Sequence, residues 1–243
     1  MEDATLKIAS LSDYFRCAFV INLPERKDRR KAITSELERS GMPLRAGRVE
    51  MFPAVKPTEP MGFPNKGARG CFLSHLGILK TAMERGLSNV LIVEDDLMIS
   101  ADLNRSLEQI VGALQSIDWG IVYLGHIEIV SEYEVPKLIP FYDPVITSHF
   151  YAVNGAVIPR LVEYLEQVQR RQPGDPLGGP MHLDGALTMF RQTNPDVLTL
   201  ISHPNLGKQR PSRSNINCRW YERLPVVQQA ADMARVVRDY LRA

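Results

Sequence analysis

The chain has 243 residues, 44% hydrophobic and 23% charged, an ordinary soluble composition long enough for one large α/β domain or two small ones. Lys and Arg total 29 against 28 Asp and Glu; a nucleic-acid binder should carry a basic excess, so no nucleic-acid partner is expected. No apolar run approaches the ~20 residues that span a bilayer. The opening MEDATLKIASLSDYF has two early acids and no sustained apolar core, so no signal peptide is read there and a cytoplasmic location is expected.

In chain order, residues 17–23 (CAFVINL) read as a strand stopped by Pro24, and 25–40 as a charged helix ending at Gly41. Residues 52–70, rich in Pro, Gly and Lys, read as a long functional loop. Phe72, Leu76, Leu79 and Met83 follow the helical spacing and predict a helix over 71–85. Then comes VLIVEDD (90–96), an apolar run that fits a strand buried on both faces and ends in Glu94, Asp95 and Asp96. Three carboxylates there repel one another unless they share a cation such as magnesium or manganese, which in turn holds phosphates. The alternative is an acidic cap for the helix read from Ser100 to about Leu114.

Strands are expected at 119–125 and 149–158, and a helix from Pro159 to Arg171. Residues 172–183 form a Gly/Pro loop, 184–192 a helix and 196–201 a strand. A basic loop (GKQRPSRSN) precedes a helix from about Leu224 to Leu241. Alternating strands and helices predict an α/β domain with a mostly parallel sheet, in which ligands collect at the carboxyl ends of the strands. Cys17, Cys71 and Cys218 show no zinc-type pairing or disulfide framework and read as reduced core thiols.

FVINLPERKDRR (19–30), GCFLSHL (70–76) and VLIVEDD (90–96), in this order and spacing, resemble glycosyltransferase family 25. The similarity continues more weakly through HFYAVNGAVIPRLVEYL, HLDGAL and HPNLGKQRPSRSNI, and so covers roughly residues 18–216 of what is expected to be a single domain. The resemblance implies a GT-A-type, Rossmann-like fold and a nucleotide-sugar donor. It also implies a divalent metal (Mn²⁺ or Mg²⁺) on an acidic DXD-like motif, and inversion at the anomeric carbon. Family members include bacterial lipooligosaccharide galactosyltransferases and collagen galactosyltransferases. The implied donor is therefore UDP-galactose, with UDP-glucose behind it, and the implied acceptor a glycan or glycoconjugate such as lipooligosaccharide.

Inverting transfer needs a base for the acceptor hydroxyl and a cation for the departing diphosphate. Asp96 matches the last acid of the family motif and is the expected metal ligand. Glu94 joins it, or Glu94 or Asp95 reaches the ribose or a metal-bound water. On the same pattern Asn22 and Leu23 present backbone groups to uracil, and Arg26 or Arg30 reaches ribose or phosphate, unless these charges form a solvated helix face. His75 recurs near the donor site in the resemblance; a satisfied core histidine is the competing reading. Arg69 and Gly70 open the predicted helix, whose free N–H groups would favour an anion. Asp184 is the expected general base, if burial raises its pKa, and a helix cap otherwise. Glu128 is the runner-up, with His126 and His182 behind. Lys208, Gln209, Arg210, Arg213 and Ser214 form a loop able to close over the diphosphate. His203 is a further metal-ligand candidate that the pattern does not demand.

Two other readings compete with this one. LIVEDD also resembles the acid pocket of phospho-receiver domains, but strands 119–125 and 150–158 end without the required phospho-acceptor Asp or Lys. A catalytically inactive sugar- or nucleotide-binding module is the alternative that keeps the fold. Arg235, Arg238 and Arg242 on the C-terminal helix suggest a weak peripheral membrane contact, with packing on the domain preferred.

Overall fold

The computed structural model describes residues 8–127 and 137–210. Its elements are α1 (Leu11–Tyr14), β1 (Cys17–Asn22), α2 (Lys27–Arg39), β2 (Val49–Pro53), α3 (Lys66–Glu84), β3 (Asn89–Glu94), β4 (Leu97–Ile99), α4 (Ala101–Ser116), β5 (Ile121–Gly125), β6 (Lys137–Pro140), β7 (Phe150–Asn154), α5 (Ile158–Arg170), α6 (Leu183–Thr193), β8 (Thr199–His203) and β9 (Gly207–Gln209).

The strands form one sheet in the order β2-β1-β3-β7-β5-β8-β6, with β9 joining β4 to β5. β1 is parallel to β2 and β3, and β5 is parallel to β8. β7 lies antiparallel between β3 and β5, and β6 antiparallel beside β8. β2, β1, β3, β5 and β8 thus point one way, the mostly parallel α/β sheet that the alternation predicted.

The period-2 alternation of side chains splits the core. Phe19, Ile92, Tyr151 and Tyr123 face α3, α5 and α6. Val20, Leu91, Ala152 and Val122 face α1, α2 and α4. β1 is covered on both faces along its whole length, which explains its apolar run up to Asn22, the buried polar residue at its end. Each fully buried aliphatic side chain here contributes about 1.5–3 kcal/mol.

Several expected boundaries need correction. Residues 52–70 are not all loop: β2 takes their start, and α3 begins at Lys66, capped by Asn65 Oδ1 accepting from the Ala68 N–H at 2.8 Å. β4, β6 and β9 were not expected. Glu128, Arg213, Ser214, Cys218 and the C-terminal helix with its arginines lie outside the described residues.

Candidate active site

The parallel strands deliver their carboxyl ends to one edge of the sheet. Asn22 ends β1 and Glu94 ends β3, with Asp95 and Asp96 in the turn before β4. β7 starts at this edge because it runs the other way, with Phe150 opposite Val93 and the Glu94 N–H donating to the His149 carbonyl at 2.9 Å. Gly125, at the end of β5, lets the layers close: a Cβ there would lie 2.6 Å from His149 Nε2 and 2.9 Å from the Gly207 carbonyl.

The three acids have different surroundings. Asp95 is held from both sides: Asn22 Nδ2 donates to it at 2.7 Å and Arg29 Nη1 at 2.8 Å. The same Nη1 lies 3.4 Å from Asp96. Asp96 is only 9% exposed, and its Oδ1 is buried without a hydrogen-bond partner. Burial, followed by repulsion from Glu94, pushes its pKa up to about 7 against the pull of Arg29. Burial also acts to raise Glu94, but His75, His149 and Arg29 outweigh it and the net shift is downward. Glu94 Oε1 lies 3.4 Å from His75 Nε2 and 4.0 Å from Cys71 Sγ, while its Oε2 accepts from Gln209 Nε2 at 3.4 Å.

Asp184, in the first turn of α6, faces the same region. Its carboxylate accepts from the Thr147 N–H at 3.2 Å and from its neighbour Gly185 at 2.9 Å. Burial dominates these contacts and pushes its pKa up to about 6, and Glu94 adds repulsion. The residue before the helix is His182, so Asp184 is not its N-cap.

The other candidates divide. Asn22 and Gln209 reach the acid cluster through their side chains. The Arg210 backbone N–H donates to the Asp96 carbonyl at 2.6 Å, and its guanidinium reaches Glu36 at 3.3 Å. Leu23 follows β1 directly and is half-buried. Arg26 pairs locally with Asp28, and Arg30 and Lys208 are exposed. Because α3 starts early, the Arg69 N–H already bonds the Asn65 carbonyl at 3.1 Å, and its guanidinium donates to the Glu59 carbonyl. The free N–H groups expected at Arg69 and Gly70 are therefore absent. His126 has both ring nitrogens against backbone carbonyls, and burial lowers the pKa of His182 to about 4. His203 is buried at the end of β8.

Arg29, not the expected Arg26 or Arg30, is the arginine of this segment that pairs with the acid turn. Its signal was helical phase: Arg29 lies one turn before Ile33, on the face that Ile33 and Leu37 bury. Cys71, half-buried beside Glu94, was read only as a core thiol.

Residues 15–153 match the family model for Glycosyltransferase family 25 (LPS biosynthesis protein). The chain belongs to that family. It is similar to procollagen galactosyltransferase 1 of Danio rerio, 29% identical over 197 residues, which are 73% of this chain and 32% of the relative. It is also similar to the inactive glycosyltransferase 25 family member 3 of Mus musculus, 32% identical over 135 residues, 48% of this chain and 23% of the relative. The chain thus spans at most about a third of the length of these curated relatives. Among solved structures, a glycosyltransferase involved in the glycosylation of the major capsid of PBCV-1 aligns with a TM-score of 0.46 and 11% identity, over 76% of this chain and 80% of that one. No helix among the described residues is long and apolar enough to cross a membrane.

Proposed function

We propose that the chain transfers a hexose, galactose first and glucose second, from a UDP-sugar to a hydroxyl of a glycan or glycoconjugate acceptor such as lipooligosaccharide, with inversion. One observation carries the reading: a buried carboxylate with an unpartnered oxygen, Asp96, lies beside Glu94, and Asp184, raised to about 6, faces the same strand ends.

The donor set suits a divalent cation. Asp96 Oδ1 has no protein partner, and carboxylate oxygens match manganese or magnesium. Asp96 and Glu94 would hold the ion, which when bound neutralises the charge developing on the leaving diphosphate. Asn22 and Arg29 fix Asp95, so this acid positions its neighbours rather than binding metal. Asp184, ionised above about pH 6, takes the proton from the acceptor hydroxyl. Two backbone N–H groups orient its carboxylate. Gln209 and Arg210, which bond Glu94 and the Asp96 carbonyl, would reach the diphosphate from beside the acid turn.

Calorimetric titration with UDP, with and without Mn²⁺, tests this. Metal-dependent binding that is lost in Asp96→Ala supports the donor site. No binding under either condition sinks the UDP-sugar reading.

A second reading is favoured by Arg29, whose guanidinium already supplies Asp95 and Asp96 with a cation, and by the similarity to inactive family members. In it the chain binds nucleotide or sugar without turnover. Metal-stimulated hydrolysis of UDP-galactose or UDP-glucose would separate the two.

A further inference from the structure

Cys71 and His75 are four residues apart in α3 and so lie on one helix face, one turn from each other. That face meets the end of β3, where one oxygen of Glu94 is 4.0 Å from Cys71 Sγ and 3.4 Å from His75 Nε2. The sulfur, nitrogen and oxygen donors all lie within 4.8 Å of one another.

His75 is fully buried, and its Nε2 has no hydrogen-bond partner. Its other nitrogen, Nδ1, lies 3.0 Å from the hydroxyl of Tyr151, whose ring stacks on the imidazole. If Nδ1–H donates to Tyr151, the Nε2 lone pair faces a carboxylate oxygen, and two acceptors oppose each other. If Tyr151 donates instead, Nε2 carries the proton and lies 3.4 Å from Glu94 Oε1, an ion-pair contact rather than a formed hydrogen bond. A cation between the three donors resolves the first arrangement. Tyr151 then fixes the imidazole through its second nitrogen, as outer partners of metal-bound histidines do.

We propose that Cys71, His75 and Glu94 bind a thiophilic divalent cation of the zinc class, a second ion that shares Glu94 with the one proposed for Asp96. Thiol, imidazole and carboxylate together select zinc over the hard, oxygen-preferring magnesium or manganese. On binding, the sulfur–metal bond replaces the S–H bond, the proton leaves to solvent and no electron is transferred. Three protein ligands leave a fourth position for water.

The test is optical titration of the EDTA-stripped full chain with Co²⁺, a zinc surrogate whose thiolate bond gives a charge-transfer absorption. One equivalent should produce the band, and Zn²⁺ should abolish it. Cys71→Ser should lose the band. Tyr151→Phe should keep it and weaken Co²⁺ by roughly 10–100-fold. Cys17→Ser should retain it at unchanged affinity, and Asp96→Ala should retain the band itself. Circular dichroism identifies any variant that fails to fold, and His75→Gln, expected to weaken Co²⁺ at least tenfold, then serves in place of Cys71→Ser. No band in the wild type, or one that survives in folded Cys71→Ser, overturns the proposal. A band together with absent UDP binding would leave this site standing while removing the donor-site reading.

Discussion

Asp184→Asn separates the cost of a buried charge from the work of a base. Asp184 titrates near 3.8 in an exposed chain and at about 6 in the fold, because burial outweighs its two backbone hydrogen bonds. Between those values the folded state binds more protons than the unfolded one, so this group lowers stability as pH rises through the window. A shift of about two units corresponds to roughly 3 kcal/mol when complete, and to roughly 2 kcal/mol of change between pH 4.5 and pH 8. Asn carries no charge at either pH and removes that swing. It also turns an amide NH₂ towards one of the donors from Thr147 or Gly185, a pH-independent loss of about 1–3 kcal/mol. The variant should therefore be clearly destabilised at pH 4.5 and regain roughly 2 kcal/mol relative to wild type by pH 8. Urea melts of both proteins at the two pH values give this double difference and cancel the other titrating groups. An equal difference at both pH values would refute the claim that Asp184 is held above its ordinary range. On the proposed function, the same variant should lose about 10²–10⁴ in transfer rate, together with the wild type's rise in activity near pH 6.

Other substitutions test the supports around the site. Arg29→Met removes the guanidinium shared by Asp95 and Asp96, both about a tenth exposed, and should cost about 3 kcal/mol in a urea melt at pH 8; an unchanged midpoint would show that the pair contributes nothing. On the proposed function, Mn²⁺ should raise the melting temperature of that variant more than that of wild type. Gly70→Ala puts a Cβ 2.6 Å from the Val55 carbonyl and 3.1 Å from Pro57 Cδ, which should cost about 1–3 kcal/mol by thermal melt. Phe72→Ala empties a fully buried position in the core beneath α3 and should cost about 3–5 kcal/mol.

The parts of this fold that are legible in the sequence are those where burial dictates composition. β1 and β3 are covered on both faces, so their residues form unbroken apolar runs. α5 announces itself through Pro159 in its first turn. β2 is an edge strand of half-buried residues ending in Pro53, and β9 is three residues with Lys208 and Gln209 exposed. Neither is long enough, with Glu50 and Pro53 in one and Lys208 and Gln209 in the other, to show a hydrophobic period. The start of α3 was hidden by Gly67 and Gly70, which read as loop, although Gly70 is there because the backbone of Val55 passes against the helix. In the site, the acids at 94–96 were visible as an electrostatic anomaly. Their distinct environments were not, since these depend on Asn22 and Arg29, which arrive from more than sixty residues away.

The charge of the site bears on how a nucleotide could bind. Glu94 raises the pKa of both Asp96 and Asp184, and among the described residues the guanidinium paired with the acid turn is that of Arg29. Arg29 is committed to Asp95, the acid with the shorter contact, so Asp96 and Glu94 retain excess negative charge. A diphosphate brought within about 4 Å of one such charge meets repulsion on the order of 4 kcal/mol at the effective dielectric of a protein surface. That is close to a thousandfold in affinity for each uncompensated charge. On the proposed function, UDP must therefore arrive with a divalent cation or be held by cations beyond the acid turn. The pKa of Asp96, pushed up to about 7 first by burial and then by repulsion from Glu94, describes a carboxylate that takes up a proton for want of a better cation. A bound metal should displace that proton. Measured near pH 7 with Mn²⁺, which does not seek the Cys71 thiol, uptake by the wild type should then release a fraction of a proton to the buffer, and uptake at pH 9 almost none. Equal proton release at both pH values would place the metal elsewhere and leave Asp96 to Arg29.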